Sequence, residues 1–391
     1  MKIDGPKNRH PSRGDLDANL TKLDSLTVVI LTLNRQSQVR LGVEFWSQLP
    51  IKIVVVDGSD SPDKVLLDRP DVNYVHSRRP YLENHGVAAA LVDSKYVISA
   101  CDDELYVPSA LVQCIEFLDD NPDFVAVCGE AIGLHSNGSQ SWWEAQYVRM
   151  RGFELTEESG VDRTIRHLSA YRVLAFYAVA RREEWVRAWK LVSTHEFSPF
   201  AASEIQFEAA LVSAGKIRVL PILMWVRNRF VPPLWSSGTG VPGLDPSISF
   251  REWWTSGPSG AEREAFITTM RAVFREMLPR SESYSHSELD GLVRKGFSLF
   301  AGPPKTARGI HTRMRKFYRR ISKKTMSRMS RIRSELLGFQ SEPLPANPAQ
   351  ETEKQVVPVG TSDNQALAKL VGDGTYIDIF WLDLIGTKLL D

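Results

Sequence analysis

Residues 27–60, TVVILTLNRQSQVRLGVEFWSQLPIKIVVVDGSD, hold one strand–helix–strand unit. Thr27–Leu33 is an unbroken, β-branched apolar run that stops at Asn34-Arg35. Runs of that kind, lacking polar alternation, belong to strands buried on both faces. A helical spacing over Val39–Gln48 is stopped by Pro50, and Ile51–Val56 forms a second buried strand ended by Asp57-Gly58-Ser59-Asp60, residue types that favour tight turns. The rhythm continues with strands at Asn73–His76, Tyr96–Ala100 and Phe124–Cys128, and helices near His85–Asp93 and Ser109–Asp119. Such alternation predicts an α/β fold, a mostly parallel, Rossmann-like sheet flanked by helices on both faces.

Beyond that half the pattern loosens. Residues 129–200 are aromatic, polar and irregular; a helix is predicted over Glu204–Ala214, ended by Gly215, and a strand over Ile217–Leu220. Residues 224–260 read as loop-rich, and 261–299 as helices. The expected organisation is a poorly ordered lead-in over 1–25, a main α/β domain over 26–260, and a helical region over 261–337. A Pro-, Gln- and Ser-rich linker over 338–365 and a C-terminal docking segment over 366–391 follow.

The chain of 391 residues has a formal net charge of +1, so no overall field marks a nucleic-acid binder. Three cysteines, Cys101, Cys114 and Cys128, make neither a disulfide framework nor a CxxC site. No apolar run approaches the roughly 20 residues needed to span a bilayer, and the polar N-terminus carries no signal-like apolar core. A cytoplasmic setting is expected.

Chemistry concentrates directly after the expected parallel strands, where open α/β sheets bind ligands. Three polar groups stand there: Thr32, Asn34 and Arg35; Asp57, Ser59 and Asp60; and Asp102, Asp103 and Glu104. Neither a G-x-G-x-x-G nor a Walker A pattern follows the first strand. The three adjacent carboxylates repel one another, and Mn²⁺ or Mg²⁺ sharing a nucleotide diphosphate would relieve that repulsion. A solvated acidic turn is the plainer alternative. Asp57 offers an acceptor to a nucleobase or ribose, although Asp-Gly is also a strong turn signal. Arg78 and Arg79, after the third strand, can meet phosphate charge. The tryptophans at 142, 143, 185, 189, 225, 253 and 254 could wall an acceptor site, with core packing as the default.

Taken in order, these pieces resemble a GT-A-fold glycosyltransferase of the inverting, family-two kind. The matching stretches are TVVILTLNR at 27–35, IVVVDGSD at 53–60, YVISACDDELYVPSAL at 96–111 and, more weakly, SEIQFEAALVSAGKIRVLP at 203–221. The resemblance implies a sugar moved from a nucleoside diphosphate donor, such as a UDP-sugar, to a glycan or lipid-linked acceptor. It implies that Thr32, Asn34, Arg35, Asp57, Arg79 and Asp102 line the nucleotide site and that Asp103 holds the metal. Glu204 is implied as the catalytic base, at the place where the family has Glu-Asp before a helix. The chain departs from the pattern at Cys101, which stands at the first acidic position of the metal motif, where a thiolate suits a hard cation poorly. A non-catalytic scaffold of the same fold and a sugar nucleotidyltransferase are the alternatives. The basic amphipathic stretch 305–333 suggests peripheral contact with an anionic membrane.

Overall fold

The computed structural model describes residues 20–137, 140–199, 201–229, 248–255, 260–302, 356–358, 382 and 385. Residues 1–19 of the expected 1–25 lead-in and the basic stretch 305–333 lie outside the described residues, and Thr21–Ser25 forms a short 3-10 helix with Leu23 buried.

The fold is α/β with a mainly parallel sheet flanked by helices, as the strand–helix rhythm predicts. Its first half comprises β1 (Leu26–Thr32), α1 (Gln36–Trp46), β2 (Lys52–Asp57), α2 (Lys64–Leu67), β3 (Val72–His76), α3 (Tyr81–Leu91) and β4 (Tyr96–Cys101). The second half runs through β5 (Glu104–Tyr106), α4 (Pro108–Asp120), β6 (Phe124–Ser136), β7 (Ser141–Gln146), β8 (Glu154–Leu155) and α5 (Gly160–Ser169). It continues with β9 (Val179–Arg181), α6 (Arg182–Val192), α7 (Ala201–Ala214), β10 (Lys216–Asn228), α8 (Phe250–Thr255), α9 (Gly260–Met277), α10 (His286–Ala301) and β11 (Val356–Pro358).

The main path through the sheet is β11-β7-β6-β9-β4-β1-β2-β3. Strands β1, β2, β3 and β4 pair in parallel, and so do β6 and β10. Short β9 enters antiparallel between β4 and β6. The chain winds outward from β1 to β3, then returns to lay β4 on the other side of β1. Open α/β sheets bind ligands at such a reversal, here beyond the carboxyl ends of β1 and β4.

Burial explains the apolar runs. Val28, Ile30, Val55, Val56, Val97 and Ile98 are at most 1% exposed, since helices cover both faces of these strands. The core is continuous through the later helices, taking in Phe266 and Phe274 of α9 and Val293 and Phe297 of α10, with Leu382 and Ile385.

Several expectations are corrected. Strand β10 runs to Asn228, so the loop-rich reading fails for residues 224–228. Pro221 lies inside that strand, at a register shift between Val219 and Leu223; the irregularity accommodates a residue that cannot donate to the ladder. Strand β6 likewise continues to Ser136, well past Cys128. The irregular 129–200 region holds α5 and α6 as regular helices. Helix α7 begins at Ala201, three residues ahead of the expected start at Glu204.

Candidate functional site

The acidic cluster forms a two-residue turn at Asp102-Asp103 between β4 and β5. Strand β5 is held antiparallel to β10, with Glu104 paired to Arg227, and the Asn228 amide donates to the Asp103 carbonyl at 3.2 Å. The turn therefore sits at the switch between β1 and β4, fixed from below by a strand more than a hundred residues later.

Four residues singled out from the sequence meet there. Thr32 at the end of β1 donates its hydroxyl to Asp102 Oδ2 at 2.8 Å. Arg35 reaches across from the start of α1, placing Nη1 3.0 Å from Asp102 Oδ1 and Nη2 2.8 Å from Asp103 Oδ2. Asn34 takes a left-handed conformation, with φ of 54°, which Asn tolerates better than most residues. This turns the chain so that Arg35 faces the acidic turn rather than continuing the strand.

Asp57 stands in register with Thr32 on the adjacent strand. It is fully buried, and its two oxygens accept from the Ser59 amide at 2.8 Å and the Tyr74 hydroxyl at 2.6 Å. The turn geometry suggested by Asp-Gly is thus present. Asn34 joins the same loop: its amide donates to Ser59 Oγ at 2.7 Å and its side-chain oxygen accepts from the Asp60 amide at 3.1 Å. Arg79 is exposed and lines a groove with Val75, Glu83, Val87 and Ser193, none of which belongs to the acidic turn.

The carboxylates find their countercharges within the chain. Arg35 serves Asp102 and Asp103, and Arg227 forms a tight ion pair with Glu104. Burial pushes the Asp102 carboxyl up to about 7, with Arg35 opposing and Asp103 adding to the rise. Burial likewise raises Glu104 to about 7 against the pull of Arg227. Repulsion among the acids alone therefore does not require a metal. Cys101 Sγ, an Asp103 oxygen and a Glu104 oxygen all lie within 4.8 Å of one another. Burial raises the Cys101 thiol well above its ordinary value, so sulfur is a poor partner for a hard ion. Glu104 is paired with Arg227 and Asp103 with Arg35, and of the two only Asp103 stands partly exposed; a cation there would have to displace the guanidinium from its oxygen.

Glu204 of α7 accepts from the Tyr171 hydroxyl at 3.0 Å. Burial, then the nearby Glu208 charge, push its carboxyl up to about 7, while the Tyr171 bond pulls the other way. The Tyr81 phenol, raised mainly by burial, is raised further by the charges of Cys101, Glu204 and Asp102. Tyr177 feels Cys101, Glu104 and Glu204 in the same manner. Tyr81 and Tyr177 thus lie within electrostatic reach of both Glu204 and the acidic turn.

Sequence reasoning missed Arg227, Tyr147 and Tyr177. Arg227 packs over the rings of Tyr147, Trp225 and Tyr177, at 5.4, 5.7 and 5.7 Å from their centroids. Tyr177 stacks on Trp225 at 4.1 Å. No local signal marks these residues, because Tyr147 beyond β7, Tyr177 ahead of β9 and Arg227 on β10 come together from distant segments. Trp143, Trp185, Trp189, Trp225 and Trp253 are at most 3% exposed, so core packing accounts for them.

No family model matches the chain, and no curated protein matches it. Solved structures similar to it include S. aureus TarS 1-349 in complex with UDP-GlcNAc, at 15% identity, with 70% of this chain and 71% of that chain covered and a TM-score of 0.42. Another is S. aureus TarS 1-349 in complex with UDP, at 13% identity, 71% and 89% coverage and a TM-score of 0.37. Likeness at this level assigns no residue a role and no ligand to this chain. Among the described residues no helix is long and apolar enough to cross a membrane.

Proposed function

We propose that the chain is a glycosyltransferase that moves a sugar from a nucleoside diphosphate donor, a UDP-sugar, to a hydroxyl of a glycan or lipid-linked acceptor. The observation that supports this most directly is the Thr32–Asp102–Arg35–Asp103 constellation at the switch point. A diphosphate entering the crevice meets Arg35, a planar donor suited to phosphate oxygens. Asp57 and the 58–60 turn lie where the base and ribose would rest, and Tyr74 would release one Asp57 oxygen to the base.

Glu204 takes the proton from the acceptor hydroxyl. The freed oxygen forms the new bond to the anomeric carbon as the bond from that carbon to the diphosphate breaks, with inversion. A carboxylate raised to about 7 suits this task, since a base works best when its pKa lies near the operating pH. Mn²⁺ or Mg²⁺ on Asp103 would supply charge stabilisation for the departing diphosphate. Arg35 contributes from the protein's side by binding the same phosphates. Peripheral membrane contact through the basic 305–333 stretch belongs to the same proposal and is checked by cosedimentation with anionic vesicles.

The test is a thermal-shift panel of UDP, GDP, CMP and dTDP with and without Mn²⁺. One nucleotide, UDP, should stabilise the protein, and only with the metal. Equal stabilisation by all four, or by none, defeats the assignment. A donor-binding protein without turnover is the second possibility, favoured by the closed Arg35 bridge over Asp102 and Asp103. Absence of UDP release from a bound UDP-sugar would select it.

A further inference from the structure

Glu208 lies one helical turn beyond Glu204 on α7, and the transfer described above makes no use of it. Its side chain is fully buried. Oε1 accepts from the backbone amides of Leu174 at 2.9 Å and Phe176 at 2.8 Å, and His167 Nε2 of α5 stands 3.2 Å from Oε2. A carboxylate is costly to bury unless polar atoms meet it; the two amides hydrogen-bond one oxygen, while His167 stands beside the other without a hydrogen bond. The segment it holds, residues 171–177, bears Tyr171, which donates to Glu204, and Tyr177, stacked on Trp225 close to the acidic turn. Two carboxylates one turn apart therefore grip the same stretch of chain.

We propose that Glu208 and Tyr171 are positioning residues for Glu204: Glu208 ties the 171–177 segment to α7, and Tyr171 on that segment holds the Glu204 carboxylate in place. This rests on the glycosyl-transfer reading in which Glu204 is the base. Among the described residues, five groups stand near Glu204 or its partners. Glu208 comes from its own helix, Tyr171 and Tyr177 from the held segment, His167 from α5 and Tyr81 from α3. Helix α6 presents Trp185 and Trp189 to Phe207, and no acid or base of α6 or of α9, which also packs on α7, is among the groups that shift Glu204. The two positioning groups act on Glu204 in opposite senses. The negative charge of Glu208 favours its protonated form, and the Tyr171 hydroxyl favours its carboxylate.

The experiment is carboxyl ¹³C NMR on full-length protein labelled at the glutamate side chains, with the Glu204 signal assigned by its loss in Glu204→Gln. Glu208→Gln can still accept from both amides but carries no charge, so the Glu204 midpoint should fall by about half a pH unit or more. Tyr171→Phe should raise it by a similar amount. A purely structural role gives no such pair of opposite shifts. Unmoved midpoints, or shifts of the same sign, overturn the proposal; should Glu208→Gln not fold, Tyr171→Phe decides alone. Turnover separates this from the reading beneath it. UDP release from UDP-N-acetylglucosamine undiminished in Glu204→Gln removes the base, whereas loss of release with opposite NMR shifts sustains both.

Discussion

Arg35 occupies the space between Asp102 and Asp103, so in the proposed transfer a cation would compete with a guanidinium until a diphosphate drew it away. Asp103→Ala should therefore cost UDP affinity tenfold or more, about 1.4 kcal/mol, in the presence of Mn²⁺ and little in its absence, as titration calorimetry would show. Glu204→Gln should leave UDP affinity nearly unchanged and lower turnover by about 10²–10⁴-fold, the usual span for a lost general base. The same residue has a signature in stability. Its folded value of about 7 lies above the ordinary 4.5, so the folded state holds a proton that the unfolded chain has released. The stability linked to that proton is present at low pH and is lost as pH rises through about 7. Glu204→Gln should accordingly raise Tm over wild type near pH 8, with the gap shrinking toward pH 5. Glu204 is not wholly shielded from water, which keeps the effect on the order of 1 kcal/mol. Calorimetric scans across pH would check the sign.

At the scale of elements, the seam between α5 and α7 is tight. A Cβ on Gly160, the first residue of α5, would lie 2.5 Å from the Ser213 carbonyl oxygen and 2.6 Å from Leu278 Cδ2. The backbone oxygen cannot swing aside, so Gly160→Ala should cost about 1–3 kcal/mol through overpacking. Ser285 caps α10 in a full capping box with Glu288, and Ser285→Ala should cost only about 1 kcal/mol. Urea unfolding should rank the two in that order, with Gly160→Ala the more damaging. The elements most visible in the sequence are β1, β2 and β4, since their β-branched runs are buried on both faces. Strand β10 was hidden beyond Leu220 because Pro221 breaks the strand signal, and only the register shift beside β6 explains how pairing resumes. Tyr171 and Tyr177 gave no signal either. They lie outside the helices and strands, and their placement depends on a buried carboxylate that reads as one more helical Glu.

For the whole molecule, β11 pairs with β7, and Leu382 and Ile385 are fully buried in the core. A chain truncated after Gly302 should lose these contacts and unfold at a lower urea concentration than the full chain, a loss of several kcal/mol if both side chains contribute as buried leucine and isoleucine do. Unchanged stability in the truncated chain would refute this. Local chemistry alone determined the strand–helix rhythm and the polar residues at the carboxyl ends of β1, β2 and β4, because burial and turn preference act over a few neighbours. Tertiary structure decided what those residues face. Arg35 crossing to Asp102 and Asp103, Arg227 arriving on β10 to neutralise Glu104, and Glu204 meeting Tyr171 are long-range pairings. Their geometry follows from sheet order and register, which no stretch of sequence carries by itself.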